Sequence, residues 1–222
     1  MDKHTRLLAL ATLRKNTRWP DYKCIGDYHG GAYECDFVSP YTKSAGNVDA
    51  ELMVLLQDWA SDDVLSRPLL HDRIILGHDS TVRTNQRLRR LLLQHFRMEL
   101  EQVYATNLFP FVKLGAKNAR IPIRDLVRAA REFAVPQIEV VRPRLVVCLG
   151  KATFDAIAVA VGRRPTESIE HAIEVASPLY FAGTQVWCQA HTSQQGTNNR
   201  NRNGLDQVEK DWARMATPYN GE

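Results

Sequence analysis

The chain has 222 residues, of which 44% are hydrophobic and 24% charged, values that suit one globular α/β domain with a sizeable core. No apolar stretch approaches the roughly 20 residues that span a bilayer, and the short run LLALATL lacks a cleavage site, so we expect neither a membrane span nor a signal peptide. The net charge of +4 comes with 21 arginines against 8 lysines, which favours a polyanionic partner.

The N-terminal part of the chain predicts one helix followed by a long irregular arm. Residues 5–15 have helical spacing, and Trp19-Pro20 ends the segment. Residues 16–50 are rich in Gly, Tyr, Asp and Pro and have no period. A loop of that length is often functional, so we expect this arm to cover one side of the domain or its cleft.

Beyond the arm, short apolar runs alternate with helical segments, a pattern typical of buried parallel strands joined by helices. This alternation predicts a single domain, residues 1–222, with a three-layer α/β/α fold around a central, mostly parallel four-stranded sheet. The main predicted strands are 51–57, 103–108, 144–149 and 185–190, with 177–181 left open as a further short strand, and the predicted helices are 82–98, 123–141, 152–161 and 204–215.

The four main runs each end in polar residues, namely Gln57-Asp58, Asn107, Gly150-Lys151 and His191. In an open parallel sheet the carboxyl ends of the strands face one crevice, where ligands bind. We therefore expect Asp58, Asn107 and His191 to converge on one cleft. Gly150-Lys151 lacks the neighbouring glycines of a phosphate-binding loop and predicts a tight turn instead.

Each of the three residues has a structural alternative. An aspartate or asparagine after a strand also serves in turns, and a histidine in a polar loop can be incidental. As chemistry, the Asn107 amide suits a ring edge with an N–H beside a C=O, as in uracil. A histidine at a strand end can donate a hydrogen bond to a developing anion.

The segment HTSQQGTNNRNRNG (191–204) predicts a polar loop of 14 residues that could grip a nucleic-acid backbone. The alternative is a flexible solvated loop. The candidate DNA-binding residues are Ser193, Gln194, Arg200 and Arg202, together with Lys151 and Arg120 outside the loop.

The cysteines and histidines point away from metal chemistry. Cys148 and Cys188 lie inside apolar runs without C-x-x-C spacing, so we expect buried free thiols, which, without an export signal, favour the cytoplasm. His71 and His78 have no acidic or cysteine partner at ligand spacing. We predict no metal and no cofactor.

Four segments, in this order, resemble motifs of the uracil-DNA glycosylase superfamily, and the resemblance covers roughly residues 50–215. The segments are VLLQDWAS (54–61), YATNLFPFVKLGAKNARIP (104–122), IEVVRPRLVVCLGKATFDAI (138–157) and QAHTS (189–193). The second and third are similar to the iron–sulfur-bearing branch of that superfamily. The cluster cysteines of that branch are absent from 109–135, so the resemblance implies no iron–sulfur cluster.

The resemblance implies a role for each strand end. Asp58 would orient the attacking water and stabilise positive charge on the sugar, and Gln57 would offer its backbone to the pyrimidine. Asn107 would bind the uracil edge, and His191 would donate to the departing base. Such charges match a reaction that passes through an oxocarbenium-like state.

The chain departs from the superfamily pattern at the position that sets pyrimidine selectivity. Trp59-Ala60 stand where the family usually has Pro-Tyr, and Thr192 replaces the usual proline. The aromatic that stacks on the base is not placed by spacing. Tyr22, Tyr28, Trp59 and Phe109 are the candidates, and proximity favours Phe109 or Trp59.

The favoured function is therefore a DNA glycosylase that hydrolyses the N-glycosidic bond of uracil or a related damaged base in DNA, acting as a monomer. Such an enzyme extrudes the base from the stack. Two alternatives stay open: an inactive nucleic-acid-binding module of the same fold, and a nucleotide-handling α/β hydrolase.

Overall fold

The computed structural model describes residues 1–202 and 205–221. The strands are β1 (Tyr22–Lys23), β2 (Leu52–Asp58), β3 (Tyr104–Phe109), β4 (Val112–Lys113), β5 (Leu145–Leu149), β6 (Leu179–Phe181) and β7 (Thr184–Gln189). The α-helices are α1 (Lys3–Asn16), α2 (Asp62–Leu65), α3 (His71–Ile75), α4 (Arg83–Phe96), α5 (Ile123–Ala129), α6 (Val135–Val141), α7 (Lys151–Ala160), α8 (Ile169–Glu174), α9 (Gln194–Arg200) and α10 (Gln207–Asn220). In this part of the chain no helix has the length and apolar character needed to cross a membrane.

The central sheet has five strands in the order β3-β2-β5-β7-β6. The first four are parallel, and β6 adds an antiparallel edge to β7. The mostly parallel α/β sheet is confirmed, but the count of four strands is wrong. The fifth strand is the short segment left open at 177–181. It is three residues long and none of them is fully buried, so it carries no continuous apolar run.

Helices cover both faces of the sheet, which is why β2 and β5 are apolar on both sides. On one face α4 packs with α10, and on the other α5 packs with α7, next to α6. The predicted three-layer arrangement is confirmed. Cys148 and Cys188, which are register partners in β5 and β7, are buried free thiols as predicted.

The polar segment after β7 is a helix where a loop was predicted. The Ser193 hydroxyl accepts from the Gly196 N–H at 3.2 Å and caps α9. Arg87 of α4 donates to the Thr192 carbonyl at 2.8 Å and the Thr197 hydroxyl at 2.9 Å. These contacts come from a distant helix, so local residue preferences gave no sign of them. The predicted start of the closing helix, Gly204, lies outside the described residues.

The arm over residues 16–50 lies against the sheet. Its short strand β1 pairs with β4, so that Tyr22 is opposite Lys113. Farther along, the Thr42 hydroxyl donates to the Ala105 carbonyl at 2.8 Å, and the Ala105 N–H donates to Ala45 at 2.8 Å. The arm is thereby tied to β3 and β4, the strand and extension nearest to the predicted cleft.

Candidate active site at the carboxyl edge of the sheet

The strand order brings the predicted strand ends to one edge of the sheet. β3 lies beside β2, and β5 separates β2 from β7. In the register of β2 and β3, Leu56 is opposite Asn107 and Asp58 is opposite Phe109. Asn107 therefore lies inside its strand instead of at its end, because the buried run continues through Phe109. Asp58 is the last residue of β2, and His191 follows β7 directly.

The Asp58 carboxylate is held by two donors. Its Oδ2 accepts from the Lys113 Nζ at 3.0 Å, and its Oδ1 accepts from the Gln57 Nε2 at 3.1 Å. Both members of the ion pair are largely buried, with side chains 16% and 8% exposed. Lys113 was not singled out by the sequence, because nothing in the run FVKLGAK distinguishes a buried lysine from an exposed one. The pair holds the carboxylate in one orientation at the end of β2.

His191 is half-buried, and its ring has a defined tautomer. The Ser193 backbone N–H donates to the His191 Nδ1 at 3.1 Å, which leaves the ring proton on Nε2. Burial lowers the pKa of His191 below its usual value, an effect that the nearby Asp58 charge opposes and that Lys117 and Lys113 reinforce. His191 is therefore a neutral hydrogen-bond donor at neutral pH, within the electrostatic reach of Asp58.

Asn107 is fully buried and only partly satisfied. Its Oδ1 accepts from the Ser39 hydroxyl at 2.6 Å, whereas its Nδ2 has no hydrogen-bond partner. Ser39 belongs to the arm and was missed, since a contact across 68 residues leaves no local signal. The amide thus retains unused donors beside the site.

A second buried polar atom without a partner lies under the same segment of the arm. The His78 ring stacks on Tyr41 with centroids 5.0 Å apart and an interplanar angle of 26°. Its Nδ1 lies 3.1 Å from the Ser44 hydroxyl and 3.2 Å from the Leu76 carbonyl, while Nε2 has no partner. Burial lowers the pKa of His78.

The two aromatics proposed to stack on a base are engaged elsewhere. Phe109 is fully buried and packs edge-on against Trp19 and Tyr22, with centroids 5.7 and 4.7 Å away. The Trp59 Nε1 donates to the Gly77 carbonyl at 2.7 Å, and its ring meets Tyr33 edge-on. Phe109 has no face open to a ligand, and Trp59 serves to anchor the segment after β2.

Two of the predicted DNA-binding cations already have anionic partners. The Arg200 Nε donates to Asp211 at 2.7 Å and its second terminal nitrogen to Glu174 at 2.6 Å, with the Arg200 side chain only 6% exposed. Lys151 pairs with Asp155 at 2.6 Å. We therefore drop Arg200 from the phosphate contacts, because its charge is used inside the fold. Arg120 and Arg202 are exposed and keep their predicted role as proposals.

The structure contains an arginine groove that the sequence did not indicate. It lies between α4 and the start of α9, next to the His191 segment, and its lining residues are Arg83, Gln86, Arg87, Arg90 and Gln194. Arg87 also donates to the Gln194 Oε1 at 3.1 Å, which fixes this predicted residue at the edge of the groove. Arg90 pairs with Glu209, and Arg87 is bonded to the segment that begins α9. Arg83 is therefore the guanidinium of this groove best placed to meet phosphate oxygens.

Over residues 1–202 and 205–221, no group of three His, Cys, Asp or Glu side chains is arranged to hold a metal ion. The site consists of a paired carboxylate, a buried amide and a neutral imidazole at the carboxyl edge of a parallel sheet. This combination defines an α/β/α protein whose site can stabilise opposite charges on two parts of a ligand.

A comparison with known protein families identifies the family of this chain. The model of the uracil DNA glycosylase superfamily matches residues 46–216, which is more than half of the chain, so the chain belongs to that superfamily. Its members are generally hydrolases that act as DNA glycosylases. No curated protein matches the chain.

Proposed function

We propose that this protein excises uracil, or a related deaminated base, from DNA by hydrolysing the N-glycosidic bond. The observation that carries the proposal is the pairing of an anion and a neutral donor at one edge of the sheet in a member of this superfamily. Bond cleavage develops positive charge on the sugar and negative charge on the departing base. Asp58 and His191 match those two charges.

In the proposed mechanism Asp58 acts on the sugar side. Lys113 and Gln57 occupy one lone pair on each oxygen, so the carboxylate can still accept a hydrogen bond from a water molecule. The fixed anion stabilises the cationic sugar and orients that water for attack at C1′. Held in this way, Asp58 does not need to reorient during the reaction.

His191 and Asn107 act on the base side. The Nε2–H of His191 donates to the base oxygen that gains charge as the bond breaks, and no proton transfer is required of a neutral ring. The Asn107 Nδ2 donates to a carbonyl of the base edge. Gln57 contributes its backbone to the same base, as the superfamily resemblance implies.

DNA contacts follow from the arginine groove next to the His191 segment. Arg83 would contact a phosphate, with Arg87, Ser193, Gln194, Arg202 and Arg120 around it. Phosphate contacts position the duplex while the base is extruded.

The proposal is tested by alkaline cleavage of oligonucleotides that carry uracil, hypoxanthine or an undamaged base. We expect alkali-labile sites only at the deaminated bases, and we expect His191→Ala to slow their formation by about 100-fold or more. Salt-dependent DNA binding without any base release would instead support the inactive binding module.

A further inference from the structure

We propose that Ser39, a residue of the arm outside the range matched by the family model, determines base discrimination by fixing the orientation of the Asn107 amide. The inference rests on the proposed function in one respect, namely that Asn107 contacts the base. It adds to that function the class of base edge that the site binds and the residue that determines this preference.

The hydrogen bonds of Ser39 determine which end of the amide faces it. The Ser39 Oγ accepts from the Tyr41 N–H at 3.2 Å and lies 2.6 Å from Asn107. A hydroxyl has a single proton, and here that proton is directed at Asn107. The atom that receives it must be an acceptor, so the amide oxygen faces Ser39 and the amide nitrogen faces away.

The amide nitrogen is then left as a buried donor without a partner. Asn107 and Ser39 are both 0% exposed, and the Asn107 Nδ2 makes no hydrogen bond. Such a group costs free energy until a partner arrives, and we infer that the extruded base supplies that partner. Because an amide nitrogen only donates, that partner must present an acceptor.

This polarity selects one chemical class of base. A carbonyl oxygen, such as O4 of uracil or O6 of hypoxanthine, accepts from the amide nitrogen. The exocyclic amino groups of cytosine and adenine are donors, so they would face the Asn107 Nδ2 donor and neither group would form a hydrogen bond. The site would therefore bind uracil and hypoxanthine in preference to cytosine and adenine. The difference in affinity is large because the wrong base leaves buried polar groups without hydrogen bonds.

Ser39 is positioned by contacts that do not involve Asn107. Thr42 of the same segment is bonded to the Ala105 carbonyl, and Pro40 lies in close backbone contact with Gly77, where a side chain would clash. Gly77 has a φ of +75°, which also favours glycine. The segment 39–42 thus fixes the position of Ser39, and the orientation of the Asn107 amide follows from the Ser39 hydroxyl.

The test compares binding of two oligonucleotides, one with 2′-fluoro-2′-deoxyuridine and one with 2′-fluoro-2′-deoxycytidine at the same position. The fluorine disfavours the cationic sugar, so the base stays attached and affinity is measured without excision. We expect the wild type to prefer the uracil form and Ser39→Ala to reduce that preference by about tenfold, because the freed amide can turn its oxygen to the base.

Thr42→Val is the matched control, since it removes a buried hydroxyl of the same segment whose partner is the Ala105 carbonyl instead of Asn107. It should lower thermal stability without changing the preference. If Ser39→Ala does not fold by circular dichroism, Ser39→Cys replaces it with the same expectation, because a thiol is a weak donor.

A preference unchanged in the Ser39 variant, or no preference in the wild type, overturns the inference. Excision is measured separately on uracil-containing DNA. Binding that discriminates through Ser39 without any excision contradicts the proposed function alone. Excision by the wild type combined with full discrimination by the Ser39 variant contradicts this inference alone.

Discussion

At the scale of single residues, the Asp58–Lys113 pair sets the electrostatics of the site. A largely buried carboxylate is costly unless it is paired and hydrogen-bonded, and here the two oxygens have separate donors. Lys113 belongs to the short strand β4, which pairs with the arm. The anion proposed to face the sugar therefore depends on a part of the chain far from β2.

Lys113→Met should leave Asp58 without its cation. We expect excision of uracil to fall by about 10- to 100-fold because the carboxylate loses its orientation, and unfolding free energy to fall by up to about 3 kcal/mol. Lys113→Arg should recover part of both. Lys210→Met, which removes an exposed lysine of α10, is the control. Wild-type rates in the Lys113→Met variant would show that the pair has no positioning role.

His191 should make stability dependent on pH. Its pKa in the folded protein is lowered by burial from the usual 6.5, so the unfolded chain binds the proton more readily. The folded state is therefore destabilised as the pH falls below about 6.5, until the lowered pKa is passed. Urea unfolding between pH 5 and 8 should show a smaller loss for His191→Asn than for the wild type. Parallel curves for the two proteins would contradict this.

At the scale of elements, the strands were predictable and the segments around them were not. The buried runs at 51–57 and 144–149 are apolar because helices cover both sheet faces, so their composition alone identifies them. Helix α9 consists of seven polar or small residues with weak helical preference, and it forms through Arg87 of another helix. Its sequence alone therefore indicated a loop.

The residues of the candidate site likewise fall into those that the sequence indicated and those that it did not. Asp58 and His191 follow directly after apolar runs, so their positions were visible in the sequence. Ser39 and Lys113 reach the site through contacts between distant segments, and no periodic pattern marks them. Phe109 was misplaced because Trp19 and Tyr22 of the N-terminal part of the chain cover it, and no local pattern predicts that packing.

Arg200→Met should destabilise the protein without lowering its affinity for DNA. The variant leaves the buried Asp211 carboxylate without its cation, which we expect to cost about 3 kcal/mol of unfolding free energy. Arg202→Met removes an exposed neighbour and should leave stability unchanged. Denaturant titration measures the unfolding free energy of each variant, and a binding titration measures its affinity for DNA. A stable Arg200→Met variant with reduced DNA affinity would return Arg200 to the phosphate contacts.

At the scale of the whole molecule, the site, the arginine groove and the arm meet at one end of the sheet. The parallel strands place the ends of β2, β3 and β7 at one edge of the sheet, α4 and α9 flank the groove, and Ser39 of the arm bonds to Asn107. The net charge of +4 is modest, so the local concentration of arginine matters more than the total charge. The monomeric state stays a prediction.

Arg83→Gln should weaken DNA binding uniformly across sequences. If Arg83 contacts one phosphate, the slope of log affinity against log salt should become shallower by about one. Arg163→Gln, an exposed position after α7, has the same change of charge and should leave the slope unaltered. Equal slopes for the Arg83 variant and the wild type would place the DNA on another surface.

The most direct test of the account is single-turnover release of uracil from a defined oligonucleotide by the wild type, Asp58→Asn and Asp63→Asn. Asp63, in α2, is the matched control because it lies five residues from Asp58 and outside the proposed site. The account predicts release by the wild type and Asp63→Asn, and a loss of at least about 100-fold in Asp58→Asn. No release from single- or double-stranded DNA at high enzyme concentration, or equal rates for all three proteins, would contradict it.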